Sequence, residues 1–121
     1  MLSEREAKKI CETLLKLTKA DDAVVSVRET VESNQRFAAN AFTTNGSSRE
    51  RGFSVTVWID KRQGSASGTE FEEASLHQAV EQAEHLAKLS PVDVEYLPTL
   101  GPQRYKPVKN YVSKTAEVSP A

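Results

Sequence analysis

A chain of 121 residues with 38% apolar and 27% charged side chains has room for one compact core of modest size and none for a second. Sixteen Lys and Arg against seventeen Asp and Glu leave a formal net charge of -1, so no whole-molecule field draws the chain to a phosphate backbone or an anionic membrane surface. The one cysteine, Cys11, excludes an internal disulfide, and with no apolar leader at the start of the sequence the expected compartment is the reducing cytoplasm.

Ser3-Glu4-Arg5-Glu6 is a Ser-x-x-Glu pattern, in which hydroxyl and carboxylate satisfy each other's orphan backbone donors, and it predicts a helix over 3–18. Ala7, Ile10, Cys11, Leu14, Leu15 and Leu17 recur at helical spacing, while Glu4, Lys8, Lys9, Glu12 and Lys16 fall mostly on the other side. After Asp21-Asp22 the period shortens to two. Ala23, Val25, Val27 and Val31 alternate with Ser26, Arg28 and Thr30, which predicts a half-buried strand. Ser33-Asn34-Gln35 reads as a turn, Phe37, Ala39 and Ala41 as a second strand, and Thr44-Asn45-Gly46-Ser47-Ser48 as the turn that ends it. The third strand places Phe53, Val55, Val57 and Ile59 on one face and Ser54, Thr56 and Trp58 on the other. Asp60-Lys61-Arg62 then turns the chain into a Gly- and Ser-rich fourth strand over 63–68, suited to a sheet edge.

Thr69-Glu70-Phe71-Glu72 offers a second capping box, and Leu76, Ala79, Val80, Ala83, Leu86 and Ala87 mark a helix over 69–89 that stops at Ser90-Pro91. Beyond it Pro91, Pro98, Pro102, Pro107 and Pro120 punctuate a segment without periodicity. The elements in this order make a two-layer α+β domain over 1–90, a four-stranded antiparallel sheet with both helices on one face, followed by an irregular Pro-rich strap or linker over 91–121. Ile10, Leu14, Val25, Phe53, Val55, Val57, Ile59, Leu76, Val80 and Ala83 are its expected core.

A catalytic centre is hard to assemble from this inventory. His77 and His85 stand about 12 Å apart along a helix rising 1.5 Å per residue, too far to share one ion. Cys11 falls within an apolar arc, where a thiol behaves as a small hydrophobe. Asp21-Asp22 reads as polar turn chemistry, and Glu70, Glu72 and Glu73 suit a helix start. Gly64-Ser65-Ala66-Ser67-Gly68 lacks the Gly-Lys-Ser/Thr ending of a phosphate loop. The expectation is therefore no catalytic, cofactor or metal residue in this chain. One surface departs from a bland polar exterior: Phe42 and Trp58 join Ser54 and Thr56 on the face away from the helices, and such aromatics call for a cover, either the strap between Tyr96 and Tyr111 or another chain.

Gln35-Arg36-Phe37-Ala38-Ala39-Asn40, Thr44-Asn45-Gly46, Gly52-Phe53-Ser54-Val55-Thr56-Val57 and Arg62-Gln63-Gly64-Ser65-Ala66-Ser67 ahead of a Glu-rich helix entry together resemble the N-terminal domain of the TldD/PmbA family. Members of that family have been called modulators of DNA gyrase and classed as zinc-dependent peptidases of U62 type. The resemblance implies that zinc belongs to a further domain or a partner subunit, since the family's His-Glu-x-x-x-His motif is missing here and neither His77 nor His85 is followed by Glu. It also implies a protein partner, a TldD/PmbA-type subunit in a homo- or heterodimer or the polypeptide's own later domains, and the near-neutral charge leaves no expected role for nucleic acid or membrane. The expected function is a noncatalytic N-terminal module in proteolysis, contributing to subunit assembly or the substrate chamber. The alternative is a free-standing protein- or peptide-binding module using the outer sheet face or the edge strand.

Overall fold

The structure is a computed structural model that describes residues 1–118, so the expectation placed on Pro120 lies outside the described residues. In chain order the elements are α1 (Glu4–Leu17), β1 (Asp22–Ala38), β2 (Ala41–Ile59), β3 (Arg62–Gly68), α2 (Glu73–Leu89) and α3 (Ser113–Ala116). They divide between two compact units, one comprising Met1–Thr30 and Glu50–Thr99, the other Val31–Arg49 with the chain from Leu100 onward.

In the first unit the helix α1 begins on the expected capping box. The Ser3 hydroxyl accepts the Glu6 amide at 3.2 Å and the Glu6 carboxylate accepts the Ser3 amide at 2.8 Å. The Ser3 hydroxyl also donates to Glu6 Oε2 at 2.6 Å, and this bond first, then that from the Ser3 amide, favours the charged carboxylate and lowers the Glu6 pKa. The other end of α1 is closed from a distance: Glu84 Oε1 of α2 accepts the Thr18 hydroxyl at 2.9 Å and the Lys19 amide at 2.6 Å. Leu14 of α1 and Leu76, Ala79, Val80, Ala83 and Ala87 of α2 share one buried cluster with Phe53, Val55 and Val57 of β2. Because the three β2 residues alternate along one strand, both helices cover the same face of the sheet. Ile10, Val25 and Ile59, expected in the core, pack at its margin as partly buried side chains.

β2 pairs antiparallel with β3, Val57 opposite Gly64 and Val55 opposite Ala66. At Gly64 the helix layer comes close against the sheet. A Cβ built there would stand 2.1 Å from the Ala83 carbonyl oxygen and 2.4 Å from the Ala87 nitrogen, so only glycine lets α2 settle beneath β3.

Among the described residues the sheet has three strands, in the order β1-β2-β3, and not the four expected. The expected turn Ser33-Asn34-Gln35 lies within the 17-residue β1, and the expected second strand straddles the true reversal, with Phe37 at the end of β1, Ala39 in the turn and Ala41 opening β2. Thr44-Asn45-Gly46-Ser47-Ser48 likewise lies inside β2. The chain reverses instead at Ala39-Asn40, with φ of 50° and 58°, and again at Asp60-Lys61, with φ of 50° and 61°. Two successive positive φ values are what a tight hairpin turn requires, because its twist then matches that of the strands it joins.

The second unit holds the 31–38 and 41–49 portions of these strands, exposed throughout. Its ribbon is laced by polar side chains: Ser33 and Ser47 share a hydrogen bond of 3.2 Å, and the Thr43 hydroxyl donates to the Arg36 carbonyl at 3.2 Å.

The second expected capping box also fails to form. α2 begins at Glu73, four residues later than expected, and Glu72 caps it without a side-chain bond. Phe71 draws the preceding loop inward instead, its ring 6.0 Å from that of Phe53 and 5.3 Å beneath the Arg51 guanidinium.

Candidate functional site

Ser54, Thr56 and Trp58 alternate with buried Val55 and Val57 and therefore lie on the sheet face turned away from the helices. Two of the three are occupied within the sheet. Ser54 pairs its hydroxyl with that of Ser26 on β1, and Thr56 pairs with Ser65 on β3, both at 2.9 Å. These partners are hydroxyls rather than bases, so the row binds strand to strand and activates no nucleophile.

Trp58 is half-buried, and the residue against it is Tyr96 of the segment following α2, with ring centroids 6.1 Å apart. The segment is fastened at several further points. Arg62 Nη1 donates to the Ser90 carbonyl at 3.0 Å, at the C-terminal end of α2 where a cation also favours the helix dipole. The Asp93 amide donates to the Lys61 carbonyl at 2.8 Å. Asp22, at the start of β1, accepts the Tyr96 hydroxyl at 3.2 Å and both the amide and the hydroxyl of Thr99 at 2.7 Å. Donors gathered on one carboxylate stabilise its charged form, and the Thr99 amide and hydroxyl lead in holding Asp22 below the usual carboxylate range. Partial burial and the nearby Asp22 charge raise the Tyr96 phenol. Next to it, Asp21 accepts the Asp60 amide at 2.9 Å and donates its own amide to the Trp58 carbonyl at 3.0 Å.

The strap is thus a docked element between 90 and 99. Tyr96 of the chain's own strap lies against Trp58, while Tyr105 and Tyr111 are 87% and 72% exposed and belong to the second unit. Phe42 belongs to the second unit as well and is 72% exposed. The anchoring role of Asp21 and Asp22 escapes a reading of the sequence, because their partners lie as far as 77 positions away and no local pattern marks them.

His77 Nδ1 lies 3.5 Å from Glu81 Oε2, both side chains exposed on α2. Cys11 is half-buried in α1, and removal from water raises its thiol pKa. Among the described residues no three His, Cys, Asp or Glu side chains gather as metal ligands, so the residues present do not fit a catalytic zinc. Among the described residues, too, no helix is long and apolar enough to cross a membrane.

Residues 23–87 match the family described as PmbA/TldA metallopeptidase domain 1. Comparison with curated proteins gives no match. Among solved structures, TldE from Thermococcus kodakarensis is similar, with a TM-score of 0.58 and 26% identity over 93% of this chain and 25% of that one. A Bacteroides thetaiotaomicron protein described as a candidate modulator of DNA gyrase shares the fold, with a TM-score of 0.56 and 21% identity over 99% of this chain and 28% of that one. The chain spans about a quarter of the length of the two structures.

Proposed function

The chain belongs to the TldD/PmbA family, and on that premise we propose that it serves as the family's N-terminal module in a zinc-type metallopeptidase system, carrying no catalytic site of its own. The observation that carries this reading is the match of residues 23–87 to the first domain of the family. In this reading the module contributes to subunit assembly or to the wall of the substrate chamber in the cytoplasm. Zinc and the residues that use it then belong to other domains or to a TldD/PmbA-type partner subunit.

The strap supports the assembly role. Five hydrogen bonds from Arg62, Asp93, Tyr96 and Thr99 fix the path of the chain where it leaves the first unit, and a module that must hold other domains in register needs a defined exit. Native mass spectrometry of the chain mixed with the metal-bearing TldD/PmbA subunit from the same organism tests the reading. A discrete complex is expected; a chain that stays free of that subunit at micromolar concentrations overturns the assembly role.

A further inference from the structure

The sheet has two edges, and they are treated differently. β1 carries Asp22, Arg28, Glu29, Glu32 and Arg36 along its length, the charged side chains with which proteins discourage unwanted strand pairing. β3 after Arg62 reads Gln-Gly-Ser-Ala-Ser-Gly, with neither charge nor proline. Among the described residues β3 pairs with β2 alone, so its other side presents unpaired backbone donors and acceptors. A bare edge of this kind is a hazard unless something covers it.

A ledge runs beside that edge. α2 sits directly beneath β3, as the near contact of Gly64 with Ala83 and Ala87 requires. Ser75, Gln78 and Gln82 recur along one flank of α2 and, with Ser67, Gly68 and Thr69, line an open cleft of about 280 Å³. The largely buried Phe53 and Ala79 form its floor, and Glu70 is the one charged residue in its lining. We propose that the free edge of β3 and the Ser75/Gln78/Gln82 flank of α2 together receive an extended strand of a partner polypeptide, held by main-chain pairing as a further strand of the sheet.

The geometry also selects the occupant. A second copy paired antiparallel through its own β3 would keep both α2 helices on one face and bring them about 5 Å apart, since neighbouring strands are spaced by roughly 4.8 Å, whereas packed helices need about 8–10 Å between axes. The incoming strand must therefore carry no helix beneath it. Its inward side chains are small or β-branched to pass over Ala79 and Phe53, its polar groups meet the Gln78 and Gln82 amides, and a Lys or Arg lies opposite Glu70. The identity of the partner rests on the assembly role proposed above, but the groove is tested without that subunit, so the two ideas fail separately.

The probe is an acetylated and amidated heptapeptide of alternating Thr and Val ending in Arg, titrated into the full chain and followed by amide NMR. Saturable shifts at residues 63–70 and at the Gln78 and Gln82 side-chain amides are expected. The same peptide N-methylated at alternate positions should bind at least about tenfold more weakly, because main-chain pairing is what holds it. A double variant, Gln78→Glu with Gln82→Glu, changes two exposed residues, leaves the fold intact by circular dichroism, and should strengthen the response to this cationic peptide while abolishing that to one ending in Glu. Absence of saturable shifts at millimolar peptide, equal binding of the N-methylated form, shifts centred on Trp58 instead of β3, or dimerisation of the chain through β3 would each overturn the proposal.

Discussion

Asp22 and Thr99 meet across 77 positions of sequence: the carboxylate accepts both the amide and the hydroxyl of Thr99, each at 2.7 Å. The pair fastens the chain after α2 to the first residue of β1, close to where Tyr96 lies against Trp58. Because these bonds lower the Asp22 pKa in the folded protein, their contribution is complete above the unfolded value near 3.8 and is lost as pH falls through the lower folded-state value. Trp58, the one tryptophan, reports on the strap directly. An acid titration should shift its emission to the red in that range while the core stays folded. Asp22→Asn should show the red-shifted emission and a faster-exchanging Thr99 amide already at neutral pH; wild-type emission and protection in the variant would contradict the anchor.

Gly64→Ala should be among the most damaging small substitutions in the chain. Its Cβ would meet backbone atoms of α2 at 2.1 and 2.4 Å, and backbone cannot rotate away as a side chain does. Forced separation of helix and strand is expected to cost at least about 2 kcal/mol, read as a lowered melting temperature and urea midpoint. A melting temperature within about 2 °C of the parent would show that α2 does not sit so close.

Neighbouring leucines on α1 should differ sharply. Leu14 is fully buried and Leu15 is 46% exposed. Leu14→Ala is expected to destabilise by about 2–5 kcal/mol through lost burial and a residual cavity, and Leu15→Ala by less than about 1 kcal/mol. Similar urea midpoints for the two variants would place the helix stripe one residue out of register.

Lys61→Gly should stabilise the protein. Lys61 holds φ at 61° in the β2–β3 turn, a conformation that costs an L-residue roughly 1 kcal/mol and glycine almost nothing. A gain of about 0.5–1 kcal/mol in chemical denaturation is expected, and a loss would mean that the Lys61 side chain contributes more than its backbone strain takes away.

The parts of this fold legible in the sequence are those with one wet and one dry side. The α1 stripe through Leu14 and the alternation of Val55 and Val57 against Thr56 follow from burial on a single face, the Ser3–Glu6 capping box follows from local hydrogen bonding within four residues, and all three lie where expected. Between Val31 and Arg49 neither face of the ribbon is dry, so alternation carries no signal and composition misleads. Asn34, Asn45 and Gly46 favour turns elsewhere, yet here they sit in extended strand, while Ala39, an unremarkable residue for the purpose, takes the positive φ. The helix entry at Thr69-Glu70-Phe71-Glu72 lies later than its local pattern indicates for a different reason: Phe71 packs, tilted, against Phe53, a contact that no local pattern marks. The role of Asp22 depends on Tyr96 and Thr99, contacts between segments that only the folded chain brings together.

The claim that this chain is a module without a catalytic site of its own is tested most directly by measuring metal content and proteolysis on the same purified sample. After dialysis against chelator-free buffer, mass spectrometric metal analysis should find zinc well below one equivalent per chain, and a casein digestion assay should show no cleavage, with or without added zinc. His77 with its Glu81 neighbour, His85 and half-buried Cys11 do not converge on one ion. One tightly held zinc per chain together with cleavage abolished by a chelator would contradict the account.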